Sequence, residues 1–263
     1  MINQIHALYF SPTNSTATVC QTIARELERE LDRELIMRDL TIPEFRDKPL
    51  ALAHDDLLIF GVPVYGGRIP ELIEPVIMEL RGAATPAIIV TVYGNRDYED
   101  ALLELKDRLH SSGFQVIAAA AFIGEHSYSH LIAAGRPDAD DRRIATDFAL
   151  AAAQKIPDAL AHQVDDLFIK GNHPYKERQP ARNFAPKTSP DCFYCELCAS
   201  LCPVGAIAAL DPYQVDADSC IKCCSCVKSC PVEAKYFDEE LLRQVINYLE
   251  ENCMVRREPE LFL

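Results

Sequence analysis

Tryptophan is absent from the chain, and positive charge is scarce: 26 Lys and Arg face 40 Asp and Glu, a formal net charge of −14. Without Trp, stacking on a planar ligand falls to Tyr, Phe or His. The shortage of cations excludes nucleic acid as a partner, because phosphate binding needs a positive surface. It argues equally against an anionic membrane surface. No apolar run approaches the ~18 residues of a spanning helix. The opening segment MINQIHALYF has neither a basic n-region nor a small-residue cleavage site, so no signal peptide is expected and the cytoplasm is the expected location. Two nucleotide loops are also missing. There is no G-x-G-x-x-G and no Walker Gly-Lys-Thr, so direct binding of NAD(P)H is not expected.

Cysteine is what the chain has in plenty. Nine of eleven lie between Cys192 and Cys230, with only Cys20 and Cys253 outside. The first group is Cys192-x2-Cys195-x2-Cys198-x3-Cys202-Pro203, and the second is Cys220-x2-Cys223-x2-Cys226-x3-Cys230-Pro231. A disulfide framework suits small exported domains, but this spacing is that of a metal site. Three thiolates two residues apart wrap a tight loop around one centre, whose backbone N–H groups can point at the sulfurs. One such run would be compatible with zinc; two complete copies point to iron–sulfur clusters. Cys224, Cys20 and Cys253 are left over and read as bystanders or core residues.

Residues 1–165 alternate between strand-like and helix-like patterns. IHALYF, LIMRDL, DLLIFGVPVY, PAIIVTVYG and FQVIAAAAFIG read as five strands, and the intervening segments carry apolar residues at helical spacing. The reading is an α/β fold: a doubly wound, mainly parallel five-stranded sheet with helices on both faces. Its last helix is expected from Asp140 to Ala161. Periodicity stops near Gly171, and the segment 166–190 reads as a linker holding Pro174, Pro180, Pro186 and Pro190. The cysteine module occupies 191–238 as a small α+β domain, and 239–263 reads as a helix and tail.

Three loops at one end of that sheet carry polar and small residues. The first is Ser11, Thr13, Asn14, Ser15 and Thr16, just before a helix. It is either a phosphate nest or a plain N-cap. The second holds Pro63, Val64, Tyr65, Gly66, Gly67 and Arg68. The third holds Tyr93, Gly94, Asn95, Arg96, Asp97 and Tyr98. Both are either ligand loops, in which glycine admits close backbone approach, or ordinary strand-end turns. A further loop brings His126 to the same end, near a ligand or in solvent.

The double cysteine run is similar to that of the two-cluster bacterial ferredoxins over roughly residues 188–238. In that family the fourth cysteine of each run serves the other cluster. The resemblance therefore implies one [4Fe–4S] cluster on Cys192, Cys195, Cys198 and Cys230, and a second on Cys220, Cys223, Cys226 and Cys202. The hydroxyl loop resembles the FMN phosphate loop of flavodoxins. The whole order resembles the flavodoxin–ferredoxin fusion proteins known as EFR-type ferredoxins, on the hydroxyl loop, VPVYGGRIP, VYGNRDYEDAL and the double cysteine motif. That likeness implies bound FMN, with its ring between the second and third loops and Tyr65, Tyr93 or Tyr98 stacked on it. Unlike typical flavodoxins, the chain has Arg68 and Arg96 in those loops. Either they lie beside the ring and raise its potential, or they point into solvent.

The expected function is electron transfer between two clusters and FMN, and so between redox partner proteins, in an anaerobic setting. A flavin-dependent reductase of a small substrate and a flavin-free scaffold are the alternatives. No catalytic residue is assigned, and a homodimer is compatible with the sequence. Residues 1–170 carry −10 and residues 171–263 carry −4, so a basic patch is expected on a partner. The linker is the exception. Lys170, Lys176, Arg178, Arg182 and Lys187 either dock on an acidic face of the first domain or stay solvated.

Overall fold

The computed structural model describes residues 1–178, 180 and 183–263. The first five strands are β1 (Ile5–Tyr9), β2 (Leu35–Asp39), β3 (Leu57–Pro63), β4 (Thr85–Tyr93) and β5 (Phe114–Ile123). β1, β3, β4 and β5 are buried along almost their whole length, as parallel strands covered on both faces must be. They pair in parallel in the order β2-β1-β3-β4-β5. This is the flavodoxin-like doubly wound order, whose switch point lies between β1 and β3.

Two cores follow from the two faces. Helices α1 (Ser15–Leu31) and α4 (Ala139–Ala153) bury Ile23, Leu27 and Phe148 against Ile5, Ile88 and Phe122. On the other face, α2 (Glu74–Glu79) and α3 (Ala101–Ser111) bury Ile77, Leu102 and Leu105 against Leu8, Phe60 and Ile89. Asn14 takes a left-handed φ of 65° before α1, a conformation its short side chain tolerates. The Ser11 hydroxyl accepts the Ala17 N–H at 2.9 Å. The last helix is shorter than the pattern predicts. α4 stops at Ala153, and a separate turn runs Ile156–Leu160 with Pro157 in its first turn, where a missing N–H costs nothing.

Among the described residues the sheet has six strands, not five. The tail turns back as β6 (Glu260–Phe262), antiparallel to β5 with Leu261 opposite Ala120. The reason is the free edge of β5: unpaired N–H and C=O groups take up any strand that reaches them. Before it, α5 (Glu240–Asn252) crosses the loop end of the sheet.

Between Leu160 and Lys187 the described residues form no helix or strand, yet the segment is tied down. Asp100 accepts from the backbone N–H groups of Asn172 and Lys176, Lys176 pairs with Glu99, and Arg178 reaches Glu74 and Glu104. Lys170 pairs with Glu260 of β6. Of the two readings of the basic linker, docking holds for these three residues. Lys187 instead pairs with Asp238 inside the cysteine module, and Arg182 lies outside the described residues.

The cysteine module repeats itself with a 28-residue shift. Short helices Leu197–Ser200 and Ser225–Lys228 follow left-handed pairs, Tyr194 with Glu196 and Lys222 with Cys224. Two small antiparallel pairs join Ile207–Ala208 to Asp211–Val215 and Lys235–Tyr236 to Lys187–Thr188. Among the described residues no helix is long and apolar enough to cross a membrane.

Candidate redox centres

The eight motif cysteines separate into two sets. Cys192, Cys195, Cys198 and Cys230 line one cavity of the module, and Cys202, Cys220, Cys223 and Cys226 line a second. The fourth cysteine of each run thus crosses to the other run's cavity. The repeat reaches the backbone donors as well. Ala206 N–H donates to Cys202 Sγ at 3.3 Å, and Ala234 N–H to Cys230 Sγ at 3.2 Å. Such bonds stabilise sulfur that carries negative charge. Among the described residues no three Cys, His, Asp or Glu converge on a point that would hold a single metal ion. Each set of four motif thiols lines a space of its own, an arrangement that fits a four-cysteine cluster. Burial pushes the Cys223 and Cys226 thiols up to about 12. They become thiolates only with a compensating positive centre, which iron supplies. Cys224 sits at the repeat position of Glu196, fully buried, and lines the second cavity without being one of its four motif thiols.

A third cavity, of about 600 Å³, opens at the carboxyl ends of β1, β3, β4 and β5, the place where open α/β sheets receive ligands. Thr13, Ser15 and Thr16 line it from the first loop; Pro63, Val64, Tyr65, Gly66 and Gly67 from the second; Tyr93, Gly94, Arg96 and Asp97 from the third. Its chemistry suits a phosphorylated planar ligand. The first turn of α1 has N–H groups without intrahelical acceptors, beside the hydroxyl-bearing side chains of Thr13, Ser15 and Thr16. Gly67 (φ 88°) passes so close to Glu99 that a Cβ would fall 1.7 Å from its carboxylate, and a Cβ on Gly94 would fall 2.5 Å from the His126 ring. Both loops therefore lie nearer their neighbours than any side-chain-bearing residue permits.

Four expected residues stand elsewhere. Ser11 is engaged in capping α1, and Asn14 is exposed without a cap bond. Asn95 is buried and donates to the carbonyls of Cys253 and Val255 while accepting from Arg257 N–H. Tyr98 is buried with its hydroxyl on Glu260 at 2.8 Å and Lys170 over its ring. Both hold the C-terminal tail. Nor does Arg68 face the cavity. Its guanidinium lies on the buried Glu104 at 2.7 and 2.8 Å, because a fully buried carboxylate demands a paired cation. Arg96 does line the cavity, and its charge is met by Glu99 at 3.0 Å.

Sequence reasoning brought the His126 loop to this end of the sheet and missed two further contributors, the cysteine module and α5. The loop after β5 supplies Glu125, His126 and Tyr128. Burial, with Lys228 and Arg96 nearby, lowers His126 to about 4, so it is neutral at pH 7. Its Nδ1 accepts the Tyr128 N–H at 3.1 Å, which puts its hydrogen on Nε2. The cysteine module supplies Ile221 and Lys222, and α5 supplies Leu241, Val245 and Tyr248. These last three share one helix face by their i, i+4, i+7 spacing and remain 37–60% exposed, an apolar stripe that protein does not cover. That surplus stripe, beside the buried Leu242 and Leu249, is the signal the sequence did contain.

A family model described as "4Fe-4S binding domain" matches residues 213–236. A ferredoxin of Alicyclobacillus acidocaldarius is 39% identical over 56 residues, covering 21% of this chain and 72% of the relative. A ferredoxin named "7Fe" from Hydrogenibacillus schlegelii is 36% identical over 56 residues, with the same coverage. Among solved structures, a flavodoxin from the domain Archaea superposes with TM-score 0.43 and 10% identity, over 59% of this chain and 99% of that one. Flavodoxin 2 of Bacillus cereus superposes with TM-score 0.44 and 17% identity, over 58% and 99%. The flavodoxin-like character of the first domain rests on its strand order.

Proposed function

The chain belongs to the ferredoxin family through its cysteine module, fused behind a flavodoxin-like domain, and is an iron–sulfur electron-transfer protein; on that premise we propose that it exchanges electrons between two [4Fe–4S] clusters and one bound FMN. The clusters would be held by the two crossed cysteine sets. FMN would lie in the 600 Å³ cavity, its phosphate at Thr13, Ser15 and Thr16 and its ring among Tyr65, Gly66, Tyr93, Gly94 and Arg96. When bound, the clusters supply one-electron steps and the flavin accepts one or two electrons.

The observation that carries the reading is a shared wall. Ile221 and Lys222 line both the second cysteine cavity and the flavin cavity. The second cluster is thus the flavin's neighbour, and the first is the outer port. Around the outer port Phe193, Leu197 and Val232 are exposed next to Asp191, Glu196 and Glu233. A redox partner with an apolar contact ringed by basic residues suits that rim. On the flavin side, α5 lines the cavity with Leu241, Val245 and Tyr248, apolar surface that a bound flavin would cover.

Cofactor analysis of anaerobically purified protein tests this directly. The expected result is about eight irons and one FMN per chain, from the two cysteine sets and the cavity at the loop end of the sheet. Four irons, or protein without a flavin spectrum, would remove the corresponding half. The second reading, a flavin-dependent reductase, draws on His126, a neutral N–H donor lining the same cavity. It requires saturable kinetics with a small substrate, whereas a carrier turns over only with redox proteins.

A further inference from the structure

The wall between the two cavities carries an asymmetry that the internal repeat exposes. In the first cysteine loop the position equivalent to Lys222 is Tyr194, which is exposed and shares its left-handed φ (58° against 56°). Only the repeat facing the flavin cavity has a cation there. Lys222 Nζ donates to the Cys220 carbonyl at 2.9 Å and lies 5.2 Å from the centre of the Phe184 ring. The flavin cavity has two lining cations, Arg96 and Lys222. Arg96 is neutralised by Glu99, and the nearby Lys228 by Glu125. Among the described residues no carboxylate pairs with Lys222.

We propose that Lys222 is a shared electrostatic tuning residue, whose ammonium raises the reduction potentials of both the flavin and the second cluster. The proposal rests on the FMN and two-cluster reading above. An unpaired, half-buried cation between two centres attracts negative charge added to either, and it is less screened than a surface charge. In the transfer one electron leaves the cluster side and arrives on the flavin side. The same ammonium stabilises it before and after, so the step is not opposed by losing the cation's attraction.

The test is an anaerobic spectroelectrochemical titration of the full chain carrying Lys222→Gln or Lys222→Arg, with Arg143→Gln as a control. Arg143 is exposed on α4 and lines none of the three cavities. The expected result for Lys222→Gln is a roughly tenfold loss in each reduction equilibrium. That is about 30 mV downward for a two-electron flavin couple and about 59 mV for a one-electron cluster couple. Lys222→Arg keeps both potentials, and Arg143→Gln moves neither. Lys222→Gln protein that holds both cofactors at unchanged potentials overturns the proposal. If Lys222→Gln loses its flavin, Lys222→Arg decides: retention of flavin and potentials supports the role of charge, and failure there too overturns it. Wild-type protein lacking flavin refutes the FMN reading instead, which the same spectra reveal before any titration.

Discussion

Glu104 shows how far a single residue's role depends on distant chain. It is fully buried, yet its carboxyl is held below the ordinary 4.5. Burial pushes it up, but the bonds from Arg68, the Ile69 N–H and Arg108 outweigh that. Such a group stabilises the fold fully above its unfolded value, and the contribution is lost as pH falls through the lower folded value. Glu104→Gln leaves Arg68 and Arg178 without their shared anion and is expected to cost about 3 kcal/mol at pH 7. In urea unfolding, the gap to wild type should be constant from pH 7 to 5 and close only below about 4.5; a gap already closing between 7 and 5 would assign the effect to another group. The same centre explains what the sequence hid. Arg68 sits in a ligand-type loop, but its partner is 36 residues on, and Arg178 comes from a stretch that reads as a loose linker. The cysteines were legible because their spacing is local: all the information is within eleven residues of each run. Asn95 and Tyr98 were not, since their partners lie about 160 residues away in the C-terminal tail.

At the scale of elements, the five central strands were readable from their apolar runs, and their order from the rule of right-handed crossovers. β6 was not readable. Glu-Leu-Phe has no periodicity, and its position is set by the open edge of β5 and by side chains waiting for it. Asn95 takes the backbone at Cys253, Val255 and Arg257; Arg136 binds the Arg257 carbonyl; Tyr98 and Lys170 hold Glu260. This clasp fixes the chain emerging from α5, and with it the stripe over the cavity. Phe262 stands opposite Ala119, whose N–H and C=O point away from β4, so proline at 262 would remove a ladder N–H from a three-residue strand. Phe262→Pro is therefore expected to weaken FMN retention at least tenfold, followed by the rise in free flavin fluorescence on dilution, with the iron content unchanged. Equal FMN affinity in the variant would mean that α5 does not need the strand, and that the cavity is completed by the loops alone.

The whole molecule is two modules locked at several independent points. The chain leaves the flavodoxin-like domain after Leu160, forms the cysteine module, and re-enters the sheet at Glu260. Between those ends Ile221 rests on the domain's core, Tyr128 meets Phe237 edge-on at 6.1 Å, Lys228 pairs with Glu125 at 2.5 Å, and Arg46 donates to the Pro203 carbonyl. A flexible tether would raise the effective concentration of one cofactor near another and leave their separation variable. Here the linker's carboxylate contacts and the C-terminal strand fix both ends of the module, and the second cysteine loop is itself a wall of the cavity. Electron exchange across that wall should accordingly be an event within one chain. After rapid photoreduction of the clusters under anaerobic conditions, flavin reduction should follow a single first-order rate that does not change over a hundredfold range of protein concentration. It should change little with salt, since exposed charges need not meet. A rate that climbs in proportion to concentration would mean that clusters reach the flavin of another chain, and the two cofactor sites would then belong to separate encounters rather than to one relay.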